Sequence, residues 1–117
     1  MLALMAGGKP LVWLHGEVKT PPFSRGARVE AGFLLRRLQN GELIEMPVSR
    51  PMPVIGANCH ELRIDDGDVT WRLLYHVESD AIVILDIFQK KSRTTPKHVI
   101  SVAQKRLRMY QRAIKES

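Results

Sequence analysis

Residues 60–77 read HELRIDDGDVTWRLLYHV, and this stretch decides the fold. His60-Glu61-Leu62-Arg63-Ile64 alternates polar with apolar, Asp65-Asp66-Gly67-Asp68 has turn chemistry, and Val69 to Val77 is rich in strand formers. Alternation with period two marks a strand with one buried face, and Asp-Gly between two such runs marks a hairpin. With Asp66 and Gly67 as the central loop residues, Ile64 lies opposite Val69, Arg63 opposite Thr70, Leu62 opposite Trp71 and Glu61 opposite Arg72. Side chains alternate by two, so Glu61, Arg63, Thr70 and Arg72 share one face and Leu62, Ile64, Trp71 and Leu73 the other. The apolar set is the expected core face. The polar set brings two arginines together on an open sheet. The competing reading of that face is an exposed Glu61–Arg72 ion pair, worth at most about 1 kcal/mol, and it leaves Arg63 unexplained.

Working outward, Ala81 to Phe88 is nearly continuous apolar sequence, as expected of a central strand buried on both faces. Upstream, Leu11-Val12-Trp13-Leu14 reads as a short strand stopped by Thr20-Pro21-Pro22. Ser24 to Gln39 predicts a helix, with Ser24 as cap, Ala27, Ala31, Leu34, Leu35 and Leu38 at helical spacing, and Asn40-Gly41 as the stop. Residues 42–58 hold Pro47, Pro51 and Pro53 and no sustained period; they read as an ordered loop with one turn at Leu43–Met46. Thr95 as cap and Pro96 at the first position open a last helix. Its apolar stripe is Val99, Ile100, Ala103, Leu107, Tyr110 and Ile114, with Lys105, Arg106, Arg108 and Arg112 left outward. The expected architecture is α+β in the order β-α-β-β-β-α, an antiparallel sheet with both helices on one face. The 117 residues make one domain, 1–117, with residues 1–8 a frayed start rather than a signal peptide.

The charge is unevenly placed. Residues 1–89 carry 9 basic and 11 acidic side chains, whereas residues 90–117 carry 9 basic and 1 acidic. The formal net charge of +6 therefore originates in the last quarter of the chain. It is either a solvated helix face or a footprint for a polyanion. Gln89-Lys90-Lys91-Ser92-Arg93 follows the last strand directly, so its cations can converge on whatever lies over Arg63 and Arg72. The expected site is a cationic pocket without a carboxylate base or metal ligands. The single cysteine, Cys59, excludes an internal disulfide and any multi-cysteine zinc site. Cys59 and His60 are strand neighbours pointing to opposite faces, which disfavours a nucleophile–base pair. His15, His60, His76 and His98 match no familiar zinc spacing, and Gly7-Gly8 and Gly41 make no phosphate loop. No stretch approaches the roughly 20 apolar residues of a membrane span, so a cytoplasmic protein with no membrane partner is expected.

Several segments resemble the phage-derived HigB-like toxins of the RelE/ParE superfamily. They are Lys9-Pro10-Leu11-Val12-Trp13-Leu14, Ser49-Arg50-Pro51-Met52-Pro53, Cys59-His60-Glu61-Leu62-Arg63-Ile64, Thr70-Trp71-Arg72-Leu73-Leu74-Tyr75 and Phe88-Gln89-Lys90-Lys91-Ser92-Arg93-Thr94-Thr95-Pro96. The resemblance runs from Lys9 to about Tyr110. It implies a RelE-like fold and the toxin half of a type II toxin–antitoxin pair. Its partners would be a helix-turn-helix antitoxin, messenger RNA and the ribosome. The implied reaction is messenger RNA cleavage without metal or other cofactor, by attack of a 2′-hydroxyl on the adjacent phosphate to leave a cyclic phosphate. Arg72 matches the strand arginine of such toxins and Arg63 a basic position on the preceding strand. Lys90 or Lys91 would serve as leaving-group acid or charge stabiliser, with Arg93, Lys97 and Lys105 as further RNA contacts. Where RelE-like toxins often have a tyrosine, this chain has Lys97-His98, which makes His98 the candidate base or a plain surface histidine. Two other readings stay open: a ParE-like gyrase inhibitor, and a degenerate phage protein that only binds antitoxin or nucleic acid.

Overall fold

A computed structural model describes residues 8–90 and 94–116. Most of the expected frayed start, together with Lys91 and Arg93, lies outside the described residues. The elements in order are β1 (Leu11–Trp13), α1 (Arg25–Gln39), β2 (Ser49–Pro51), β3 (Cys59–Asp66), β4 (Val69–Val77), β5 (Ile82–Gln89) and α2 (Lys97–Lys115). They build an α+β domain around one five-stranded sheet of order β1-β5-β4-β3-β2.

Three features depart from the sequence expectation. The sheet is mixed, because β1 runs parallel to β5 while the other neighbours are antiparallel. It gains a strand, β2, inside the stretch expected to be loop. With three residues, one of them proline, β2 carries no readable period; Pro51 is tolerated because β2 is an edge strand. A hydrogen-bonded turn from Glu45 to Ser49 takes the place of the one expected at Leu43–Met46. Finally, the helices cover opposite faces of the sheet, not one. Ala27, Ala31, Leu34, Leu35 and Leu38 of α1 pack with Leu62, Ile64, Leu73, Tyr75, Ile82 and Ile84. Val99, Ala103 and Leu107 of α2 pack with Cys59, Leu74, Val83 and Leu85, along with Met52 and Ile55 from the loop after β2. The reason is in β5, whose Ile82, Val83, Ile84 and Leu85 are all fully buried. Such a strand needs apolar cover on both sides.

The hairpin forms with its turn one residue further along, so that each cross-strand partner lies two residues from the one expected. Asp66 pairs with Val69, so Gly67 and Asp68 are the central residues and Arg63 faces Arg72 directly. Gly67 takes φ +61°. Positive φ at the first central position is the requirement of a type II′ turn, and glycine meets it without steric penalty. The shift moves both strands together, so the shared faces are those expected. Asp66 also ties the hairpin tip to α1, its Oδ2 accepting from the Ser24 amide and from Trp71 Nε1, each at 2.9 Å.

The helix limits follow local chemistry. Ser24 Oγ accepts from the Ala27 amide at 3.0 Å, capping α1, and Gly41 at φ +86° ends it. Thr95 does not cap α2: Pro96 is the capping residue and makes no side-chain bond. Ile114, expected in the apolar stripe, is half exposed. In the middle of β5 the ladder skips Leu85, since Leu74 pairs with Asp86 and Tyr75 with Ile84. Arg106 turns inward to this bulge, donating from Nη1 to the Leu85 carbonyl at 2.8 Å and lying 3.5 Å from Asp86 Oδ1. It is therefore not one of the outward cations.

Phe23, 1% exposed, stacks on Trp71 with ring centroids 4.2 Å apart. Phe23→Ala should destabilise the fold by about 3–5 kcal/mol, read as a lower urea midpoint together with altered tryptophan emission.

Candidate functional site

The open-sheet reading of the Glu61–Arg72 face fails at Glu61. Its side chain is fully buried, and three cations converge on one of its oxygens. The register explains how. Arg50 of β2 lies beside Glu61 of β3. Arg72 of β4 is on the same face two pairs further along. Lys90 extends the β4–β5 ladder through its amide bond to the Thr70 carbonyl. Arg50 Nη2 lies 3.0 Å, Lys90 Nζ 3.3 Å and Arg72 Nη1 3.4 Å from Glu61 Oε1. The other oxygen, Oε2, accepts from the Thr95 hydroxyl at 2.6 Å. Thr95 Oγ1 in turn accepts from Arg50 Nη2 and Lys90 Nζ at 3.4 Å. Thr95 thus anchors the entry to α2 through Glu61 rather than through the helix's own amides.

Burial alone would raise the Glu61 carboxyl, but the Thr95 bond and the Lys90, Arg50 and Arg72 charges outweigh it and hold it below the ordinary carboxylate value. Burial lowers Lys90 from the usual ammonium value, partly offset by Glu61. The cluster carries three positive charges against one negative. Arg72 Nε is buried and has no hydrogen-bond acceptor among the described residues.

The remaining expected site residues are more dispersed. Arg63 faces Arg72 across the hairpin, but its Nε donates to Asp65 Oδ1 at 3.1 Å. Lys90 belongs to the cluster but is buried, hence a charge in the wall rather than a free proton donor. Lys97 and His98 are exposed in the first turn of α2, beyond Thr95, and Lys105 is exposed two turns further on. Sequence reasoning missed Arg50 and Thr95 as site members and placed Glu61 on the surface. The pocket expected to lack a carboxylate has one at its centre. The available signal was Ser49-Arg50-Pro51, a polar edge strand alongside Glu61.

The family model of phage derived protein Gp49-like (DUF891) matches residues 22–108, a span holding every member of this cluster. The chain belongs to that Gp49-like family. No curated protein matches it.

Elsewhere in the Gp49-like chain, Cys59 pairs with His76, not with His60. Cys59 Sγ lies 3.5 Å from His76 Nδ1, and His76 Nε2 lies 2.8 Å from Glu78 Oε2. Burial and the Glu78 charge push the thiol up to about 11, and Cys59 is 2% exposed. It stays protonated at neutral pH and acts as core, since the thiolate is the reactive form. Among the described residues no three His, Cys, Asp or Glu side chains gather as a metal site, and no helix is long and apolar enough to cross a membrane.

A surplus of guanidinium and ammonium charge can hold an anion, and arginine's planar fork suits phosphate oxygens. Glu61 sets the geometry of that charge. Glu61→Gln should lower stability by about 3–5 kcal/mol at neutral pH, because it leaves the cations without a counter-charge. Since the native carboxyl lies below its unfolded value, this advantage is complete above the unfolded value of about 4.3 and disappears as pH falls through the native one. Melting curves of wild type and variant should therefore converge on acidification.

Proposed function

We propose that this chain is the toxin of a type II toxin–antitoxin pair, a RelE-like, HigB-like endoribonuclease that cuts messenger RNA at the ribosome without a metal. The observation that carries this reading is the convergence of Arg50, Arg72 and Lys90 on Glu61, three positive charges on one negative. The resemblance to HigB-like toxins and membership of a phage-derived family support it.

In this mechanism Arg72 binds the scissile phosphate through the guanidinium edge that Glu61 leaves free. Arg50, whose side chain is 37% exposed, supports the same phosphate from β2. Lys90 contributes field rather than contact. The RNA 2′-hydroxyl, losing its proton, attacks the neighbouring phosphorus as the bond to the 5′-oxygen breaks; that oxygen takes a proton from Lys91 or from water, giving a 2′,3′-cyclic phosphate and a free 5′-hydroxyl. Negative charge grows on the non-bridging oxygens, where fixed cations are most effective, and in-line geometry does the rest. His98 stands at the exposed start of α2 as the group to take the 2′-hydroxyl proton, an imidazole nitrogen serving as base. Arg63 flanks the path, and Lys97 and Lys105 extend it along the RNA backbone; Lys91 and Arg93 follow Lys90 in the sequence and are proposed as further phosphate contacts. An antitoxin covering this face would neutralise the same charges.

Primer extension on messages from induced cells should show codon-associated cuts with wild type. Arg72→Ala should abolish them, and EDTA should not affect cleavage in vitro. His98→Ala should lower the rate by about 10²–10⁴-fold while leaving the melting temperature unchanged, because the residue is exposed. Intact messages together with blocked DNA supercoiling would replace this reading with gyrase inhibition.

A further inference from the structure

The outward face of α1 is built against the needs of the fold. Val29 and Phe33, one helical turn apart, are 61% and 62% exposed at its centre. Arg25, Arg28 and Arg36 surround them, and none lies within ion-pair distance of a carboxylate among the described residues. Arg37 lies over the Phe33 ring at 5.9 Å and is held by Glu42. Arg25 and Arg28 stand in the first turn, where the helix dipole disfavours cations, and the turn contains no acidic residue. Gly32 has open space around the position of a β-carbon, so packing does not require glycine there, and a helix-interior glycine costs about 1 kcal/mol. Beside it a groove of about 300 Å³ runs between α1 and β1, lined by Trp13, Val18, Gly32 and Leu35 and edged by Arg28 and Arg36.

We propose that this face is a docking site for an acidic, amphipathic segment of a partner protein. Phe33 and Val29 would bury against its apolar side, and Arg25, Arg28 and Arg36 would pair with its carboxylates. An apolar centre with an arginine rim is the anatomy of a protein interface. RNA held by its backbone needs cations at the centre instead. α1 covers the opposite face of the sheet from the Glu61 cluster, so this partner and a phosphate ligand can bind together, and the proposal stands apart from the ribonuclease reading.

The test is a titration of isotope-labelled protein with a synthetic helical peptide carrying glutamate on one face and leucine and phenylalanine on the other. Saturable binding should shift the α1 amides and the Trp13 indole and weaken with salt. Phe33→Ser and Arg36→Glu should each weaken it about tenfold or more, with unchanged melting curves because both side chains are exposed. Equal binding of a scrambled peptide of the same composition would overturn the proposal, as would absence of saturable binding. Displacement of the peptide from α1 by single-stranded RNA would reassign the face to nucleic acid. A homodimer dissolved by Phe33→Ser would reassign it to a second copy of this chain.

Discussion

A carboxylate removed from water must be matched by charge and hydrogen bonds from its surroundings, and Glu61 imposes that condition on half of the molecule. Leaving such a group unpaired costs several kcal/mol. Its partners come from β2 (Arg50), β4 (Arg72), the end of β5 (Lys90) and the approach to α2 (Thr95). Segments far apart in the chain are thereby fixed to one point. The short edge strand β2 has few ladder bonds of its own, so the Arg50–Glu61 contact gives it a side-chain reason for its register. The start of α2 has no side-chain cap, and Thr95 gives it a tether instead.

The same contact redistributes the basic end of the chain. Sequence counting places the whole positive excess after residue 89, but the structure divides it by role. Lys90 is buried against Glu61, and Arg106 closes the β5 bulge at Leu85. Lys97, Lys105, Arg108 and Arg112 remain outward on α2. Two cations of the earlier part of the chain, Arg50 and Arg72, join the cluster, so positive charge lies across the sheet as well as along the last helix. An anion approaching the Arg72 edge would meet a wall already arranged, with little reorganisation left for binding.

Much of the fold was legible where one period or one turn residue decided the outcome. The α1 core positions, its serine cap, its glycine stop and the hairpin with its two faces all follow from local rules. The two-residue register error came from centring the loop one residue early, on Asp66-Gly67, when glycine's tolerance of positive φ was needed at the first central position. The helix placement was also available: an apolar run such as Ile82-Val83-Ile84-Leu85 requires two covered faces, which excludes both helices on one side. What local patterns did not carry was β2, too short to show a period, and the site's interior. A buried Glu61 looks identical in sequence to a surface one. Only the convergence of Arg50, Lys90 and Thr95, separated by up to 45 residues, distinguishes them.

The most direct measurement is side-chain NMR of the Arg72 Nε–H and Lys90 ammonium during titration with a short RNA carrying one 2′-deoxy position to prevent cleavage. The account predicts that both signals move and saturate together as the phosphate meets the Arg72 guanidinium. Unmoved signals at Arg72 and Lys90, with RNA-dependent shifts confined to the outer face of α1 or the far end of α2, would contradict it.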